Sequence, residues 1–102
     1  MFVLVSGDDG EVRASVKDPE NLRQLHAEFL GVSDEAAAAA LAAAGLGTVN
    51  GDNAWLDAGA LRAAGDGSAA WVTGFDGMLA YAASKGWSSE DGARIRAHIV
   101  RS

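Results

Sequence analysis

Two side chains in this sequence could exchange a proton near neutral pH: His26 and His98. Either could serve as a general base if folding brought it to a carboxylate such as Asp52 or Asp57. His26 has no serine or acid tied to it by local spacing, His98 is flanked by arginines and could instead help bind an anion, and the two do not form a metal-ligand pattern. With no cysteine in the chain, thiolate metal sites, cysteine nucleophiles and disulfide frameworks are all excluded. The acid-rich turns at Gly7–Gly10 and Asn50–Asp57 lack the alternating oxygens and terminal glutamate of a calcium loop. The glycines from Gly45 to Gly51 follow a helical pattern rather than a strand, which is the wrong setting for a dinucleotide loop. No catalytic residue, cofactor or metal is therefore expected.

Charge narrows the partners. The 102 residues carry a formal net charge of −6, from 14 acids against 8 lysines and arginines. The distribution is uneven: Arg94, Arg96 and Arg101 follow Asp91 with no acid among them. An acidic surface repels phosphates, and three arginines are a thin footprint for nucleic acid. The apolar run Phe2–Val5 is too short for a signal-peptide core and no basic segment precedes it, so a cytoplasmic location is expected, without a membrane span.

The length fits a single domain over 1–102, and the pattern of elements predicts an α+β fold. Residues 2–6 and 11–16 flank a Gly-Asp-Asp-Gly turn and read as an N-terminal β-hairpin. Asp18-Pro19-Glu20 reads as a helix start, with Leu22, Leu25, Phe29 and Leu30 on one face and His26 at its border. Ser33 caps a second, alanine-rich helix that Gly45 ends. Asn50-Gly51 lies between short apolar segments, predicting a second short β-hairpin near 48–56. A short helix follows Asp57, a strong one spans 69–85 up to Gly86, and a last one carries Ile95 and Ile99 inward, with Ser88 and Asp91 as its capping pair. The sum is two hairpins and four to five helices.

The order helix, Leu30-Gly31-Val32-Ser33 turn, helix, hairpin resembles a winged helix-turn-helix. The chemistry opposes DNA binding, because the helix in the recognition position offers Asp34, Glu35 and alanines but no basic residue. A degenerate winged-helix domain without strong DNA binding is the form that resemblance implies.

The least ordinary feature is in the helix over 69–85. Gly74 and Gly77 lie in its interior, where each costs about 1 kcal/mol against alanine. They fall beside Tyr81, off the Trp71–Phe75 face, and make a stripe of small residues that another element could approach. The readings, in order, are a helix of the same domain, a second subunit, and a ligand. Trp55, Trp71 and Trp87 either build the core or place an aromatic at an interface, where such residues concentrate energy. The candidate interface or ligand residues are thus Trp55, Gly74, Gly77, Tyr81, Trp87 and His98. The expected function is a non-enzymatic protein-interaction or regulatory module, homodimeric, partnered by itself or another protein. The alternatives are a small-molecule-binding domain, with tryptophans as pocket walls, or an enzyme using His26 or His98.

Overall fold

The computed structural model describes residues 1–8 and 10–102. The elements run β1 (Phe2–Asp8), β2 (Glu11–Lys17), β3 (His26–Leu30), α1 (Asp34–Ala43), β4 (Gly47–Asn50), β5 (Asn53–Asp57), α2 (Ala58–Ala63), α3 (Ala69–Ser84) and β6 (Arg94–Arg101). The six strands form one mixed sheet in the order β2-β1-β3-β6-β5-β4. Strands β1, β3 and β6 are parallel; the β1–β2, β4–β5 and β5–β6 pairs are antiparallel. The hairpins β1–β2 and β4–β5 lie where alternation and turn residues place them. The expected Gly7–Gly10 turn contains Asp9, which lies outside the described residues.

The helical part differs from expectation. Three helices are present among the described residues, not four to five, and their arrangement is not winged-helix-like. The segment expected to start a helix at Asp18 does not, because Asp18 stands at φ 49°, outside the extended geometry of an N-cap. The chain then turns past Leu22 and enters β3, where Ala27 and Phe29 are buried and Glu28 between them is not. Residues 94–101 are likewise a strand. Ile95, Ala97 and Ile99 point inward in strict alternation with Arg94, Arg96 and His98. Ser88 and Asp91 cap no helix: Ser88 forms an isolated bridge to Ile95, and the Asp91 carboxylate accepts from the Ser89 hydroxyl (2.7 Å) and the Ala93 amide (3.0 Å), forming the turn into β6.

All buried strand side chains lie on one face, which holds the helices. α1 touches both edge strands, β2 and β4, so the sheet curls around it. Its alanines allow this approach, with Ala37 and Leu41 fully buried. α3 contributes Trp71 and Phe75, stacked at 5.0 Å, and the Trp71 indole N–H donates to the Pro19 carbonyl at 2.8 Å. That indole lies flat on Gly65, leaving no room for a side chain there. The Met1 amino group donates to the carbonyls of Asn21 and Gln24, fastening the 18–25 segment beneath β1.

Arg101, at the end of β6, ties three elements together. Its guanidinium makes a bidentate pair with Asp34 at the start of α1 (3.0 and 2.8 Å) and reaches Asp52 (2.9 Å) and the Gly51 carbonyl (3.0 Å) in the β4–β5 turn. The hydrogen bond from Arg101 holds the Asp34 carboxyl below its usual 3.8. Hydrogen bonds from Ser68 do the same for Asp66, and those from Ser89 and Ala93 for Asp91. A carboxylate with a lowered pKa stabilises the fold above its unfolded value and loses that contribution as pH falls through the folded one. Stability should therefore decline as pH falls below the usual carboxylate value. Urea titrations from about pH 5 to about pH 2 should show a shallower decline in Arg101→Gln than in the parent chain. Equal slopes would mean that the pair adds nothing in solution, as some exposed pairs do.

Candidate functional site

The outer face of the sheet carries no helix among the described residues, and two rows of side chains cross it. Strand register sets Phe2, His26, His98 and Asn53 side by side, with Arg96 opposite Trp55 below them. His26 stacks on Phe2 (5.1 Å between ring centres) and its Nε2 lies 2.9 Å from Glu28. His98 stands in the open beside it.

The carboxylates required for a general-base site are committed elsewhere. Asp52 is bound to Arg101, and Asp57 accepts from the Ala60 amide at the start of α2 (2.8 Å). Among the described residues no hydroxyl is bonded to either histidine, and no three acids or histidines come close enough to share a metal ion. His26 meets Glu28 instead, an acid two residues along the same strand.

The more substantial feature wraps the lower end of the sheet, where β6 extends beyond the start of β3. Three adjoining depressions make one open groove. The first, about 280 Å³, is lined by Leu25, Asn53, Trp87, Arg96 and His98. The second, about 90 Å³, shares Leu25, Trp87 and Arg96 and adds Arg23 from the segment before β3 and Met78 and Tyr81 from α3. The third, about 380 Å³, continues along α3 past Gly74, Gly77 and Tyr81 to Leu22. Five of the six residues singled out from sequence thus line one tract. Trp55 does not line it, although it neighbours Arg96 across the β5–β6 pair.

Local geometry explains the walls. The Trp87 amide bonds the Ala82 carbonyl at the end of α3, and its own carbonyl accepts from the Arg96 amide. This fixes the indole between the helix and the strand. Tyr81 meets Trp87 edge-on at 5.9 Å and is 58% exposed, with the Lys85 ammonium 5.5 Å from its ring centre. The two glycines differ in role. A Cβ at Gly74 would collide with Leu22 at 2.7 Å, so Gly74 is small because the 18–25 segment packs there. A Cβ at Gly77 would meet nothing within 4 Å.

The electrostatics of the groove oppose those of the chain. None of its lining residues is acidic, although the sequence holds 14 acids. Arg23 and Arg96 both face it, and among the described residues neither guanidinium has a carboxylate partner. Sequence reading missed Arg23, Leu25, Asn53 and Arg96 as site residues. The only local signal was the acid-free stretch after Asp91.

Comparison of the chain with protein-family models, curated proteins and solved structures finds no match. What the fold and site define is a mixed α+β sheet protein, curled around one helix, with an aromatic, acid-free groove at its lower end. No helix among the described residues is long and apolar enough to cross a membrane.

Proposed function

We propose that this protein is a non-enzymatic interaction module whose groove receives an extended segment of a partner protein. The observation that carries this reading is the continuity of the three depressions along α3, Trp87 and β6. Small-molecule sites enclose most of their ligand's surface. This groove is long and open, which suits a chain segment lying across it. Tyr81 and Trp87 supply the aromatic contacts that dominate such interfaces. Peptides selected from a displayed random library on the parent chain should lose about tenfold in affinity on Tyr81→Ala. A library that yields no binder, or binders indifferent to Tyr81, would contradict the reading.

Self-association is a second reading, favoured by a separate patch. Leu30 and Val100, 52% and 42% exposed, lie near each other on the outer face at the upper ends of β3 and β6. The chain is acidic, so two copies repel except where charge is balanced. The outer face sets Arg13, Lys17, Arg94 and Arg96 against Glu11, Glu28 and Asp57. Light scattering at micromolar concentration should then report twice the 10.4 kDa chain mass. Leu30→Glu with Val100→Lys, which leaves the net charge unchanged, should halve it. A parent chain that scatters as a monomer eliminates this reading.

A further inference from the structure

The groove's electrostatics point to the chemistry of its partner. We infer that it takes an acidic peptide segment bearing aromatic or aliphatic side chains, a conclusion that rests on the interaction reading above. Arg23 and Arg96 give the groove its positive charge. They approach the groove from opposite walls, one on the segment before β3 and one on β6, and both lack a carboxylate partner among the described residues. A chain with 14 acids against 8 basic residues offers many internal partners. Arg13 pairs with Glu11, Arg62 with Asp76 and Arg101 with Asp34, whereas Lys17, Lys85 and Arg94 are, like Arg23 and Arg96, without a carboxylate partner among the described residues. What sets the groove apart is that it holds two guanidiniums and no lining acid, while the depression beside β4 is lined by Asp57. Carboxylates from outside can supply what Arg23 and Arg96 do not find within the fold, and the absence of lining acids removes the repulsion that acidic surfaces impose.

The floor between the two arginines is apolar. Leu25, Met78, Trp87 and Tyr81 line it. A side chain with no charge is needed there, so the fitting ligand alternates acids with apolar residues. A methionine and an aromatic pair adapt to different apolar shapes. Nucleic acid is a poorer fit, because its affinity grows with the number of phosphates neutralised, and the groove offers two arginines in a chain of net charge −6. A small organic anion would leave most of the three depressions empty.

The test uses the full chain and two labelled ten-residue peptides. One alternates aspartate with phenylalanine and leucine; the other has asparagine for each aspartate. Fluorescence anisotropy at low salt should give the acidic peptide about tenfold tighter binding than its neutral counterpart. Added salt should narrow that gap. Arg23→Gln with Arg96→Gln should erase it, whereas Arg13→Gln with Lys17→Gln on the distant β2 should leave it intact. All four side chains are exposed, and thermal unfolding checks that each variant remains folded. Tyr81→Ala should weaken both peptides together.

The other outcomes overturn the inference in separable ways. Equal binding of both peptides, still lost on Tyr81→Ala, would leave an interaction groove but not an acid-selective one. Binding of neither peptide would remove both readings. An acidic preference indifferent to Arg23 and Arg96 would place the site elsewhere. Displacement of the peptide by phenylpropionate at matched concentration would make the groove a small-anion site. A doubled mass that Arg23→Gln with Arg96→Gln abolishes would make its occupant a second copy of this chain.

Discussion

A chain ending at Ala93 is expected to remain unfolded. Among the described residues, strand β6 is the sole hydrogen-bonded link between the β2-β1-β3 half of the sheet and the β5-β4 half. Its removal would strip β3 and β5 of their inner partners and leave two new unpaired edges. It would also take Ile95, Ala97 and Ile99 out of the core, each at most 3% exposed. The two isoleucines alone contribute about 1.5–3 kcal/mol each. The Arg101 clamp on α1 and the β4–β5 turn would go with them. Domains of this size are stable by only about 5–15 kcal/mol, so the combined loss exhausts the margin. Circular dichroism and amide proton dispersion should report an unfolded chain. A cooperative thermal transition in the shortened chain would show that α1, which touches both edge strands, holds the halves together alone.

Gly47→Ala should be the most damaging single methyl group among the glycine positions. Gly47 opens β4 at φ 155°, a backbone setting that residues with a side chain rarely adopt. A Cβ there would overlap the Trp55 carbonyl oxygen and lie 3.0 Å from the Leu56 Cα. Both obstacles are backbone of the paired strand, so no rotamer change relieves them. β4 would have to leave β5, straining the Asp57 amide to Leu46 carbonyl bond (2.7 Å) beside the pair. The expected cost is about 3 kcal/mol, at the upper end of overpacking penalties. Urea unfolding measures it directly, and a loss below about 1 kcal/mol would mean that β4 slides away without resistance.

These two positions also show why the sequence was only partly readable. The hairpins were legible because alternation and turn residues act locally, over Phe2–Lys17 and around Asn50-Gly51. α1 and α3 were legible because Ser33 and Ser68 cap them as their side chains suggest, bonding the amides of Ala36 and Trp71. β3 and β6 were misread for one reason. A spacing of four places residues on the same face of both a helix and a strand, so Leu25–Phe29 and Ile95–Ile99 fit either. The β-branched run Ile95, Ile99, Val100 and the strict alternation of 94–99 were the better guide. Tertiary pairing of β6 between β3 and β5 then fixed the choice, and no local window contains that information.

The groove was less legible than the fold. Tyr81, Gly77 and Trp87 stood out by residue type alone. Arg23 and Arg96 did not, because they meet only when β6 runs past the start of β3. Gly74 was noticed for its cost in a helix, and its cause proved to be Leu22, on a segment expected to be helical. Absence of acids along a surface is likewise invisible until the fold has chosen which residues share it.

The most direct test of the groove as an interaction site is a chemical-shift titration of the isotope-labelled chain with a library-selected peptide. The account predicts that perturbed amides gather at residues 22–25, along Gly74–Tyr81, at Trp87, and at Arg96 and His98, with α1 silent. Perturbations confined to α1, or to Leu30 and Val100 on the outer face, would contradict it.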